Sequence, residues 1–88
     1  MSAYIDIVNE FNTISGFEIL LPESETVLKQ LQPYANKIKE RIGDLKKYQQ
    51  LLLKGVIDEH LVVELCLFVM HVNQVSLGIR NISVLNKY

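Results

Sequence analysis

The chain has 88 residues, of which 49% are hydrophobic, and its formal net charge is −1. This length allows one domain, so we expect residues 1–88 to form a single helical unit, and a domain of this size buries only about 60–65% of the surface that its unfolded chain exposes. The weak net charge speaks against the basic footprint of a nucleic-acid-binding protein, and the hydrophobic content excludes a disordered chain.

A short amphipathic segment occupies residues 2–14. Apolar residues recur there at steps of three and four, which predicts a helix with one buried face, at Tyr4, Ile5, Val8, Phe11 and Ile14. Ser2 is a suitable N-cap for this helix, and Gly16 is suited to end it. Residues 17–21 are apolar apart from Glu18 but have no second strand with which to pair. We therefore interpret them as a connector that packs on the helices.

The clearest helix starts after Pro22, with Ser24 as a candidate N-cap. Its apolar positions alternate steps of three and four with one polar member, Gln49, in the series Leu28, Leu31, Ala35, Ile38, Ile42, Leu45, Gln49, Leu52. Pro33 removes one backbone hydrogen bond, so the helix either kinks there or divides into two. The unbroken phase of the series favours the kink. Lys54 and Gly55 are typical of a helix end.

The last helix is apolar on most of its sides. Residues 60–72 read HLVVELCLFVMHV, and we expect the helix to begin after the N-cap Asp58 and to run to Leu77 or to Leu85. A surface helix of a small monomer has one apolar stripe and one polar face. This helix is therefore either the centre of a bundle or an interface with another chain.

These elements predict an all-α fold, a small helical bundle of a short N-terminal helix plus a long antiparallel helical hairpin. The link around residues 55–57 is short, which favours the hairpin. Because the chain has little protein with which to cover its last helix, we expect oligomerisation to complete the bundle, and a two-fold homodimer is the commonest solution. Glu64 and His71 interrupt the apolar run, so we predict that this helix does not span a membrane.

No group of residues predicts catalysis, so we expect a protein that is not an enzyme and has no cofactor. Cys66 has apolar neighbours, which favours a core cysteine over a nucleophile. A single cysteine and an N-terminus without the features of a signal peptide predict a cytoplasmic protein. His60, Glu64 and His71 share one helical edge, which we interpret as solvated. A buried polar pair in an oligomer and a metal site completed by a second protomer are the alternatives.

Charge is distributed unevenly along the chain. Residues 1–28 carry five acids and no base, whereas residues 29–54 carry seven bases and two acids. An acidic first helix beside a basic second one would be complementary. A nucleic-acid-binding regulator that uses the basic helix between Lys29 and Lys54 is an alternative function. On a helical wheel, however, these bases spread around the whole polar side, which favours a solvated face.

The sequence therefore predicts a protein-protein interaction module, such as a small adaptor, chaperone, inhibitor or regulatory subunit. We expect it to form a homodimer or to bind another helical protein through the apolar faces of its helices. The predicted anchors are Leu61, Leu65, Phe68, Val69, Val72 and Val75. Asn73 and Arg80 lie one heptad apart, and we predict that they fix the register of the interface. The alternative is that the helix ends near Gly78 and leaves Arg80 in solvent.

Overall fold

The structure is a computed structural model that describes residues 3–55 and 58–85, with the side chains of residues 79–85 outside the description. Within these ranges four α-helices follow one another, with a 3-10 turn at Gln32–Tyr34 between the second and the third: α1 (Ala3–Ser15), α2 (Glu25–Leu31), α3 (Ala35–Leu53) and α4 (Glu59–Leu85). The described ranges contain no strand, and the predicted all-α fold is confirmed.

The N-terminal helix forms as its periodicity predicts. Tyr4, Val8 and Phe11 are fully buried along one face of α1. Gly16 has a φ of +73°, a left-handed conformation that glycine adopts without steric cost, and it ends the helix. Ser2, the predicted N-cap, lies outside the described residues. The connector is not helical, nor are the three residues after it, residues 22–24, and Ile19 anchors the connector in the core.

Pro33 divides the second predicted helix without reversing the chain. Leu31, Gln32 and Tyr34 all keep a right-handed helical backbone. Because proline has no N–H to donate, the hydrogen bonds tighten into a 3-10 turn, and α2 and α3 are separate helices on either side. This differs from the continuous kinked helix that the phase favoured.

The apolar series nevertheless stays in phase across the turn. Five of its members are buried, namely Leu31, Ala35, Ile38, Ile42 and Leu45. Leu28 is half-buried, whereas Gln49 and Leu52 at the far end are exposed. The series therefore packs against the rest of the chain for most of its length and leaves the core towards the end of α3. There Lys54 caps the helix and Gly55, with a φ of +79°, reverses the chain as predicted.

The helices after the connector form the predicted antiparallel hairpin. Arg41 of α3 lies over the ring of Phe68 in α4, while Val27, earlier in the chain, lies near Ser76, later in the chain. The first helix packs chiefly against α3, and α2 packs against α4. Phe11 of α1 meets Phe68 edge-on, with ring centroids 6.0 Å apart. These contacts give one core shared by all four helices.

The last helix begins as predicted and ends at the later of the two predicted positions, past Gly78, and it is the longest element. The Oδ1 atom of Asp58 accepts a hydrogen bond of 3.2 Å from the Leu61 N–H, which confirms the N-cap, and the helix continues to Leu85. Twenty-seven residues give a rod about 40 Å long. The molecule measures 54 × 25 × 17 Å. In so thin a bundle, one side of α4 has no other helix against it.

Candidate functional site

The open side of α4 carries a row of four apolar side chains and one glutamine, which we call the α4 stripe. Its members alternate steps of four and three and share one helical face: Val63, Leu67, Met70, Gln74 and Leu77. The four apolar members are between 53% and 59% exposed. From first to last the stripe covers 14 residue steps, or about 21 Å. Large apolar side chains rarely line the solvent face of a small monomer so regularly, and such patches mark interaction sites.

The predicted anchors lie on the opposite face of α4. Leu65, Val69 and Val72 are only 1%, 8% and 1% exposed and belong to the chain's own core. Leu61, Phe68 and Val75 are half-buried against that core. The expectation that these six side chains meet a partner therefore needs correction: the other three helices cover that face. The exposed stripe is separate, and its regular spacing was the signal in the sequence that could have identified it.

Asn73, predicted to fix an interface, binds the chain's own connector. Its Oδ1 accepts a hydrogen bond of 3.0 Å from the Leu20 N–H, and its Nδ2 donates one of 3.2 Å to the Glu18 carbonyl. On the other edge, the Ile19 N–H donates to Asn12 Oδ1 at 2.8 Å and Asn12 Nδ2 donates to the Ile19 carbonyl at 3.0 Å. We call Asn12 and Asn73 the asparagine clamp.

The clamp gives the connector the partners that neighbouring strands would otherwise supply. Its backbone polar groups alternate in direction, and each edge is met by one asparagine amide, which is both a donor and an acceptor. The apolar connector can thereby lie on a helical bundle without forming a sheet. The side chain of Arg80, paired with Asn73 in the sequence prediction, lies outside the described residues.

A groove opens beside the clamp, between the connector, α2 and α4. It has a volume of about 450 Å³ and is lined by Leu20, Leu21, Pro22, Glu23, Ser24, Val27, Asn73, Ser76 and Leu77. Leu20 and Leu21 are 55% and 40% exposed. Since Leu77 also belongs to the α4 stripe, the exposed apolar surface continues from the stripe into the groove.

Polar side chains border the stripe along one edge. His60 Nε2 lies 3.2 Å from Glu64 Oε1, and the His60 side chain is 83% exposed. His71 is also exposed, one heptad beyond Glu64. Within the described part of the chain, no three histidine, cysteine or acidic side chains converge on a point that could hold a metal ion. Of the three residues of the alternative metal site, His60 and Glu64 are the two in contact, and the edge on which all three lie faces solvent.

Cys66 is exposed, so the prediction of a core cysteine was wrong. The reason is its angular position on α4. It lies between the stripe and Asn73, whereas Leu65 and Val69 occupy the buried face. Apolar sequence neighbours did not indicate burial because α4 is apolar on both faces.

The basic residues of α2 and α3 do not form one ridge. Arg41 is half-buried, with Nη1 3.4 Å from Asp44 Oδ2 and the guanidinium over Phe68. Lys37 Nζ lies 5.7 Å from the centre of the Tyr34 ring. The lysines are spread over the exposed sides of both helices. The acidic segment, residues 1–28, was expected to complement the basic segment, residues 29–54. Among the described residues, however, no ion pair joins α1 to α3.

By length and composition, α4 is also suited to cross a membrane. The stretch Glu59–Gly78 has a mean hydropathy of 1.6, and 17% of it is buried within the protein. Glu64 and His71, on which the sequence prediction relied, are not enough to exclude it by this criterion. However, the core helix of a soluble bundle passes the same test. Such a core helix is mostly buried, whereas most of this stretch is not, although Leu65, Val69 and Val72 pack against the other helices.

Comparison with protein-family models, with curated protein sequences and with solved structures gives no match to this chain. No residue role can therefore be transferred from a relative. The features that bear on function are the geometry of the α4 stripe, the adjoining groove and the clamp that holds the connector.

Proposed function

We propose that this protein is a non-enzymatic helical interaction module that binds a helix of a protein partner along the α4 stripe. The single observation that carries the proposal is the division of α4 into two apolar faces. One face, with Leu65 and Val72, completes the core of the chain itself. The other, with Leu67 and Met70, is more than half exposed and follows the heptad spacing of helix-helix contacts.

The exposed area favours a transient complex. Full burial of one aliphatic side chain contributes about 1.5–3 kcal/mol. Each of the four apolar stripe residues is about half exposed, so its burial by a partner contributes about 1 kcal/mol, or about 4 kcal/mol for the four together. An equal contribution from the partner gives roughly 8 kcal/mol in all, against an association cost of about 4–15 kcal/mol. The exposed Leu20 and Leu21 add to the gain if the partner reaches the groove. The stripe alone therefore gives at most about 4 kcal/mol net, a dissociation constant of about 1 mM or weaker, and burial of Leu20 and Leu21 shifts it towards the micromolar range.

Membrane insertion of α4 is the main competing explanation of its apolar surface. It would draw Leu65, Val69 and Val72 out of the core and leave α1 without the Phe68 ring that Phe11 contacts. Deleting one large core side chain already costs about 2–5 kcal/mol, so the loss of the whole buried face would abolish the bundle. A surface contact along the stripe needs no such rearrangement.

Site-specific photocrosslinking in the native cell tests the proposal. A photoreactive residue at Leu67 should form adducts with a helical segment of a protein, located by mass spectrometry of the joined peptides. The same residue at the exposed Lys39 of α3 is the matched control and should give none. A Met70→Glu substitution in the Leu67 variant should remove the adducts. Adducts with lipid alone, or equal yields at the two positions, would refute the proposal.

A further inference from the structure

We propose that the helix bound by the α4 stripe is α4 of a second copy of this chain, lying antiparallel in a two-fold dimer. The inference rests on the proposed function and specifies its partner. The arguments come from the register of the stripe and from the charges that border it. Both are set by residues of the described helix.

The stripe follows an uninterrupted two-position heptad pattern. Leu67 and Gln74 occupy one core position, and Val63, Met70 and Leu77 occupy the other. Two helices with this pattern pack by inserting the residues of one into the gaps of the other. The positions that flank such a seam select the partner and its orientation, because their side chains meet across the interface.

An antiparallel arrangement brings opposite flanking groups together. When Leu67 lies opposite Met70 of the second copy, Val63 lies opposite Gln74 of that copy. In the same register, Glu64 on one edge faces His71 of the second copy, and the two-fold axis repeats the pair. A carboxylate therefore meets an imidazole, a hydrogen-bond donor, at both ends of the contact. Glu64 and His71 are both exposed and can reach across.

A parallel arrangement places like charges together. Glu59 of each copy then faces Glu64 of the other copy, so two carboxylates meet on each side of the interface. The parallel arrangement also pairs His71 with Cys66, which offers no charge. Like-charge contacts suppress wrong arrangements, so the flanking residues select the antiparallel one.

The groove extends the antiparallel contact. In this register the beginning of α4 of the second copy, with its Val63, lies beside Gln74 and Leu77 of the first. Leu20 and Leu21 line the groove next to Leu77 and are exposed there. They can therefore lie against the start of the second helix, where His60 of that copy is level with Leu77.

The mass of the purified protein in solution, measured by light scattering over a dilution series from about 1 mM downwards, tests for the second copy. We expect a dimer that dissociates in the micromolar range. Met70→Glu should give a monomer of unchanged helicity by circular dichroism, whereas Lys39→Glu, on exposed surface of α3, should leave the dimer intact. A monomer at every concentration overturns this inference. The proposed function then still stands if Leu67 crosslinks to a different protein in the cell.

Disulfide trapping tests the orientation. In a Cys66→Ser background, chains carrying Leu67→Cys are mixed with differently tagged chains carrying Met70→Cys and oxidised. Antiparallel α4 helices place these positions opposite each other, within the Cα separation of about 4.4–6.8 Å that a disulfide needs, so the mixed product should exceed its statistical share several-fold. A parallel dimer would join each variant to itself. Predominance of the self-joined products overturns the antiparallel assignment.

Charge exchange tests the flanking pair. Glu64→Lys and His71→Glu should each weaken the dimer about three- to tenfold, because each creates two like-charged or unpaired contacts by symmetry. The combined variant should recover most of the affinity, since it places a lysine opposite a glutamate at both ends of the contact. Additive weakening in the combined variant would show that these two residues do not meet, and it would overturn the register.

Discussion

Replacement of Asn12 by alanine should destabilise the fold more than its position on a short surface helix implies. The change removes two hydrogen bonds to Ile19, whose side chain is 1% exposed. Each such bond contributes about 0.5–1.5 kcal/mol, so the loss is about 2 kcal/mol, and the better helix propensity of alanine offsets about 0.5 kcal/mol. We expect a net loss of about 1.5 kcal/mol in the free energy of unfolding.

The matched control lies three residues earlier in the same helix. Asn9 is exposed, so Asn9→Ala should gain the same propensity and stabilise the protein by about 0.5 kcal/mol. Urea unfolding followed by circular dichroism, at one fixed protein concentration, should thus separate the variants by about 2 kcal/mol with equal m-values. If Asn12→Ala is as stable as Asn9→Ala, the asparagine clamp contributes nothing and the reasoning is refuted.

Three further substitutions probe the assignment of faces, turns and the core. Leu65→Ala should lower the free energy of unfolding by about 2–5 kcal/mol and Leu67→Ala by less than about 1 kcal/mol in dilute urea titrations, because only the first is buried; the reverse order would contradict the two faces of α4. Gly55→Ala should cost about 1–2 kcal/mol because its φ is +79°, whereas Gly43→Ala, inside α3 with open space for a Cβ, should raise the melting temperature. Burial raises the pKa of Tyr4 from 10.0 to about 12, so its contribution to stability is complete below pH 10 and falls as the pH rises towards 12. Tyr4→Phe, which removes a buried hydroxyl without a hydrogen-bond partner, should match or exceed the wild-type melting temperature at pH 8 and lose less of it at pH 11; equal losses would show that Tyr4 does not titrate in the fold.

The helix boundaries could be predicted because they depend on neighbouring residues. Gly16 and Gly55 end helices through their own backbone freedom, and Asp58 begins one through a bond three residues along the chain. The heptad phase likewise predicted the buried face of α3. The effect of Pro33 on the helix could not be predicted in the same way, since the loss of one hydrogen bond is compatible with either a kinked helix or a 3-10 turn.

The functional surface could not be predicted in the same way because it depends on distant residues. Both faces of α4 are apolar, and which of them is covered is decided by α1, α2 and α3. The clamp has the same origin, since Asn73 binds a segment more than fifty residues away. One local signal existed: Asn12 continues the row of Tyr4 and Val8 at four-residue steps, so a polar side chain stood in line with the core face of α1.

The separation between the two halves of the asparagine clamp has a consequence during synthesis on the ribosome. Leu20 and Asn73 are 53 residues apart, and a ribosome adds about 5–20 residues per second. About 3–10 s therefore pass after the connector is made before its second asparagine exists. Throughout this interval Phe11 and Ile19 lack the last helix that helps to enclose them. The connector therefore gains its second asparagine only after α2, α3 and the first half of α4 have been synthesised.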